Sequence, residues 1–214
     1  GNYGWAEGVR LEKYLADHFL VRGINWFVPH AFSGKAFPDP DCPPHFYAHG
    51  HNPQYRHFGR LMAYMNRVAT LTSAGAHEAP VAVLYHGEAE WCDPGAMPFE
   101  QVVRPLYDDQ IACRVLPADV FSEPGRYQTE IANPLIVNGQ PYRAFVVPGA
   151  ARMPAAAANA LTELSQKGLP VVFAGSRPAA LCEGGPLPAA LATWPGVAPA
   201  GLPPGIRGAG VAAP

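Results

Sequence analysis

Acid–base cleavage of a polar bond generally takes two carboxylates, one to give a proton and one to attack or to activate water. The acids in the first third of the chain do not form such a pair. Glu12 and Asp17 fall on the polar side of an amphipathic helical pattern, and Glu7 sits in its first turn, where an acid complements the helix dipole. Asp39 and Asp41 alternate with prolines and shape turns. Glu88 and Glu90, in HGEAEW, follow an apolar run, which makes them an acid pair at a strand's C-terminal end on position alone. The histidines cluster more clearly. His30, His45, His49 and His51 share one loop region with Phe32, Phe37, Phe46 and Tyr47. Imidazoles and aromatic faces suit a ligand that has hydroxyls and an apolar side, as a sugar does. A zinc site from His45, His49 and His51 would lack a helix to fix the spacing and any HExxH pattern. Hydrogen bonding within the loop is the third reading.

The remaining reactive groups are sparse. Cys42, Cys92, Cys113 and Cys182 show no CxxC spacing and read as separate thiols, some of them buried. PGAAR at residues 148–152 is a strand-to-helix turn of the type that cradles an anion, without the P-loop lysine or a GxGxxG pattern. Cys182, in LCEGG, does not supply a nucleophile elbow. No metal and no cofactor is assigned.

Bulk properties narrow the partners. A net charge of −2 on 214 residues, with a pI of about 6.5, creates no field towards nucleic acid or an anionic membrane. No apolar run approaches the roughly 18–20 residues of a membrane span, and no signal peptide is visible. The chain does not start with Met and its first residues read as structured sequence, which predicts an excerpt of a longer protein and leaves localisation open.

Several elements must position these groups. Leu11, Leu15, His18, Phe19 and Arg22 recur at helical spacing, which predicts a helix over 6–22 ended by Gly23. Residues 24–29 are short and apolar on both faces, predicting a buried parallel strand with Trp26, Val28 and His30 on one face and Asn25 and Phe27 on the other. A long aromatic loop over 30–53 then leads to a helix over 54–73, on which Phe58, Leu61, Met62, Met65, Ala69 and Thr72 repeat at helical spacing and which Gly75 closes. After a boundary at 76–79, strands are expected at 80–85, 114–117 and 169–174. A helix begins at Pro98, with a kink or early end at Pro105, and another covers 155–167. Asn138-Gly139 joins 135–137 to 142–147, as a hairpin or as a short edge strand leading into a central one. Alternation of strand and helix makes a parallel, doubly wound sheet. The Pro/Gly/Ala-rich stretch 183–214 reads as linker or tail.

Three stretches carry a family resemblance. YGWAEGVRLEKYLADHFLVRGINWFVPHAFS, then FPDPDCPPHFYAHGHNPQYRHFGRLMAYMNRV, then APVAVLYHGEAEW resemble bacterial glycoside hydrolases of the β-galactosidase superfamily, which have a (β/α)8 catalytic barrel. YRAFVVPGAARMPAAAANALTELSQKGLPVVFAG is similar to the domain after the barrel in family 42 β-galactosidases, a flavodoxin-like fold akin to class I glutamine amidotransferases without their catalytic cysteine. The resemblance implies the last β/α units of a barrel over 1–75, with 6–22 as helix seven and 24–29 as strand eight. An amidotransferase-like α/β domain follows over 76–182, with homo-oligomerisation through it. It implies a carbohydrate substrate in the intact enzyme, with Tyr3, Trp5, His30 and Phe32 at the lip of the sugar pocket. The family's catalytic acid ends strand four, which has no counterpart here. Its nucleophilic Glu ends strand seven, and no Glu stands among Gly1 to Trp5. No catalytic residue is therefore carried over, and the chain by itself is expected not to turn over. The reading from another class is a non-catalytic α/β oligomerisation or ligand-binding module.

Overall fold

The helical spacing near the start of the chain forms α1 (Gly8–Leu20), and the second helical pattern forms α2 (Tyr55–Ser73). A computed structural model describes residues 8–29, 34–36, 47–192 and 196–197, in two compact units, Gly1–His77 and Glu78–Pro214. In the first unit α1 packs on α2 around Ala16, Leu61 and Met65, with Val9, Phe27, Met62 and Tyr64 against them. The face of α1 is turned from the expected one, because Ala16 and Leu20 are buried whereas Leu11 and Phe19 are exposed. Polar pairing accompanies that rotation. Asp17 accepts from Tyr64 Oη at 2.6 Å and pairs with Lys13, whose ammonium lies over the Tyr64 ring. The Lys13 ammonium and the Tyr64 hydroxyl together hold the Asp17 carboxyl below its ordinary value. Gln54 Oε1 accepts the Val9 N–H at 2.9 Å, and Asn52 Oδ1 accepts the Gln54 N–H at 2.9 Å. These side chains satisfy amides that the starts of the two helices leave without intrahelical partners.

Residues 24–29 are not the buried strand that their composition predicts. They form no ladder with any described strand, and Trp26 and Val28 are each 84% exposed. The alternation itself holds. Asn25 donates to Ser73 Oγ at 2.8 Å and Phe27 packs on the helix pair, while Trp26 and Val28 point away. Apolar residues on both faces bury a strand only when both faces have cover, and this unit supplies cover for one.

The second unit opens with β1 (Val81–Tyr85), α3 (Gly87–Cys92), α4 (Glu100–Asp108), β2 (Cys113–Pro117) and α5 (Asp119–Ser122). It continues with β3 (Leu135–Val137), β4 (Gln140–Tyr142), β5 (Ala144–Pro148), β6 (Arg152–Met153) and α6 (Ala155–Gln166). It closes with β7 (Val171–Ala174), β8 (Ala180–Leu181), α7 (Ala189–Ala192) and β9 (Gly196–Val197). The five-stranded central sheet runs β2-β1-β5-β7-β9, every pair parallel. Renumbered within the sheet this is 2-1-3-4-5, the order of an open doubly wound sheet. Strand alternation divides the core between its faces. Val81, Val83, Ala144, Val146, Val172 and Ala174 pack with Val102 and Leu106 of α4. Ala82, Leu84, Phe145, Val147 and Phe173 pack with Ala157, Leu161 and Leu164 of α6.

Three further expectations change. The Asn138-Gly139 turn, with φ of 49° and 75°, joins β3 to β4 as a separate antiparallel pair. The run then switches sheets at Arg143, where the Arg143 and Ala144 amides both donate to the Pro80 carbonyl and aim β5 into the centre. The helix expected from Pro98 begins at Glu100, carries Pro105 inside it and ends three residues later at Asp108. The tail reading does not hold for the described part of 183–214. Leu191 is buried in the α6-side core, and β9 adds a strand beside β7.

Urea denaturation of the second unit tests this layering. Leu161→Ala is expected to cost about 2–5 kcal/mol, because the side chain is fully buried. Trp91→Ala removes a larger side chain that is 85% exposed and should stay within about 0.5 kcal/mol. Equal losses would show that the sheet–helix core is misassigned.

Candidate functional site at the carboxyl edge of the sheet

Open parallel sheets bind ligands outside the carboxyl ends of their strands, at the point where the strand order reverses. In this sheet that point lies between β1 and β5. His86 follows β1 directly, Gly149 follows β5 and Gly175 follows β7.

His86 is 1% exposed, and its Nε2 lies 3.1 Å from the Met97 carbonyl oxygen. A carbonyl only accepts, so Nε2 carries the proton and donates. Nδ1 is buried without a hydrogen-bond partner. The same Met97 donates its N–H to the Gly149 carbonyl at 2.7 Å, so its peptide links the end of β1 to the end of β5. Asp93 anchors the start of this strap. Its Oδ1 accepts the Gly95 N–H at 2.9 Å and its Oδ2 accepts the Ala151 N–H at 2.8 Å. Those two amides, with the Arg152 charge behind them, hold the Asp93 carboxyl below its ordinary value. Two glycines let the layers close. A Cβ on Gly149 would stand 2.8 Å from the Ala174 carbonyl and the Ser176 amide, and one on Gly175 would stand 2.8 Å from the Met97 methyl. Residues 93–97 therefore lie across the ends of β1, β5 and β7.

The turn at 148–152 does not act as the expected anion cradle. The Ala151 amide is taken by Asp93. At the start of α6 the Ala155 amide lies 3.1 and 2.9 Å from the two carboxylate oxygens of Glu183. The chain supplies its own anions, each stabilised by backbone donors. Arg152 donates from Nη1 to the Leu181 carbonyl at 3.1 Å, which fixes the neighbouring β6–β8 pair. The turn Gly149–Ala150–Ala151 carries no nucleophile. Glu88 and Glu90 lie on α3, a short helix rather than a loop. Two positions apart on a helix they do not face each other, so they are no acid pair across a bond.

Tyr3, Trp5, His30 and Phe32, the expected lip of a sugar pocket, lie outside the described residues, as does His45. His49 is described and has a structural partner. Its Nε2 is 2.5 Å from the Lys35 carbonyl, and Tyr47 packs between His49 and Tyr55 with ring centroids at 5.6 and 5.1 Å. Among the described residues no group of three His, Cys, Asp or Glu side chains could hold a metal. Asp93 is the residue that reading the sequence missed. Its signal was Asp-Pro-Gly, a turn tripeptide, two residues beyond the HGEAEW stretch.

The strap gives a pH prediction with a definite sign. A carboxyl whose folded pKa is depressed contributes stability above its unfolded pKa, and that contribution is lost as pH falls through the lower folded value. The Gly95 and Ala151 amide resonances should therefore titrate together, with a midpoint below the ordinary Asp value of about 3.9. Asp93→Asn should abolish both titrations, and a midpoint at or above the ordinary value counts against the strap. Gly149→Ala, which sets a methyl against backbone atoms, is expected to destabilise by about 1–3 kcal/mol in urea melts.

Compared with protein-family models, with curated proteins and with solved structures, the chain finds no match in any of the three.

Proposed function

We propose that the chain is the carboxy-terminal part of a glycoside hydrolase of the β-galactosidase superfamily, and that its second unit is a non-catalytic, amidotransferase-like module of that enzyme. The observation that carries the second half is the filled carboxyl edge. The strap 93–97 crosses the switch point, the Ala151 and Ala155 amides hold the chain's own carboxylates, and the turn after β5 offers no nucleophile. A doubly wound sheet with its ligand crevice occupied by its own loop serves as a scaffold. The first half rests on the resemblance of the early stretches. It draws support from the sequence of elements, a helix and an apolar extended segment with one uncovered face, then a second helix and the parallel sheet. In this reading residues 24–29 belong against strands of the parent barrel, and Tyr3, Trp5, His30 and Phe32 stand at the lip of its sugar pocket. The parent hydrolyses O-glycosidic bonds with two carboxylates supplied from elsewhere, by the retaining route. Homo-oligomerisation through the second unit is part of the same proposal.

The test compares the chain with its parent. This chain alone is expected to release no nitrophenol from aryl β-galactosides above a buffer blank. The protein extended ahead of Gly1 should carry a strand ending in an acid and a later one ending in Glu, and should turn these substrates over. Replacing the earlier acid by its amide should lower kcat by about 10²–10⁴-fold. A linker or a start codon directly ahead of Gly1, or turnover by the chain alone, sinks the proposal.

A further inference from the structure

Two of the four cysteines stand on segments held together beside the strap. Cys92 is the last residue of α3 and is exposed, while Cys182 follows β8 and is half-buried. The backbone brings their segments together by independent bonds. Asp93, next to Cys92, is tied to the Ala151 amide at 2.8 Å, and α3 packs on β6. On the other side of β6, Met153 pairs with Leu181, and the Cys182 N–H donates to the Met153 carbonyl at 2.9 Å. Both thiols thus flank β6, close enough for each to feel the other's charge, with Glu183 and Glu88 as the further nearby charges. Cys113, by contrast, is buried in the core on the α4 side of the sheet.

We propose that Cys92 and Cys182 form a reversible disulfide that locks α3 and the strap against the β6–β8 pair, making the carboxyl edge a redox-responsive clamp. The oxidant is a low-molecular-weight disulfide. Cys92, the accessible thiol, attacks one of its sulfurs as the thiolate, forming a mixed disulfide and releasing one small thiol. Cys182 then attacks the Cys92 sulfur and releases the second. Two protein thiols are oxidised, one small disulfide is reduced to two thiols, and the two protons leave on them. The order of attack follows from the surroundings. Burial, then the Cys92 thiol and the neighbouring acids, push Cys182 up to about 12, so it is not the first nucleophile and attacks second, as a thiolate whose proton passes to the departing small thiolate. The locked state holds both internal anions in place, since Asp93 adjoins one cysteine and Glu183 the other.

The reduced chain, incubated with oxidised glutathione and then digested without reductant, tests this directly. The expected product is a peptide pair joined through Cys92 and Cys182, with the free-thiol count falling from four to two. The melting temperature of the second unit should rise by roughly 5–15 °C, because the bridge closes a long loop, and dithiothreitol should reverse the rise. Cys92→Ser, at an exposed position, should abolish both the cross-link and the shift while leaving the reduced melting temperature unchanged. Glutathione retained on Cys92, a bridge to Cys42 or Cys113, or a cross-link only between chains would each overturn the assignment. These readouts use no glycoside, so they stand or fall apart from the hydrolase proposal.

Discussion

Burial of β1 and β5 on both faces is the constraint on which the second unit depends. Successive side chains of a strand point to opposite sides, so VAVL in β1 and AFVV in β5 must be apolar at every position once both sides are covered. Cover on both sides requires helices on both, and α4 and α6 supply them through Val102 and Leu106 on one face and Ala157, Leu161 and Leu164 on the other. A sheet so enclosed leaves its polar business to the ends of its strands. That is why His86, the Asp93 carboxylate, the Ala151 amide and the Glu183 cap all gather at the carboxyl edge.

At that edge the fold uses for itself the donors that comparable sheets offer to ligands. A backbone amide at a strand-to-helix turn binds whichever anion is nearest, and a tethered carboxylate is nearer than any solute. Asp93 and Glu183 therefore turn a binding feature into a fastening. The buried Nδ1 of His86 is the one unpartnered side-chain atom of this kind among the described residues, and it sits at the reversal of strand order.

Reading the sequence went furthest where periodicity was long or composition extreme. The apolar runs of β1, β5 and β7 and the repeats of α2 and α6 are visible because each position is decided by burial. The face of α1 was not visible, because the packing of Ala16 on α2 and the pairing of Asp17 and Lys13 with Tyr64 are contacts made between elements. The strand expected at 24–29 failed for the opposite reason, since its alternation was correct but only one face finds cover in this unit. The helix α3 and the two-residue strands β6, β8 and β9 are too short for any period to declare itself. An available sheet edge or a packed neighbour decides them. In the candidate site the partners of Asp93 and Glu183 are backbone amides, which have no residue type to read. Asp93 was legible as part of a turn and not as the anchor of a strap.

The described residues after Cys182 are built into the fold further than their composition suggests. Glu183 fastens the start of α6, Leu191 fills the core beside it, and β9 covers the outer side of β7. A version of this protein trimmed at Cys182, where proline and glycine begin to dominate, would lose all three together. It would leave the Ala155 amide without its carboxylate, a void beneath α6 and the bare edge of β7 as a template for pairing with other chains. Expression boundaries and proteolytic trimming should therefore not fall before Val197.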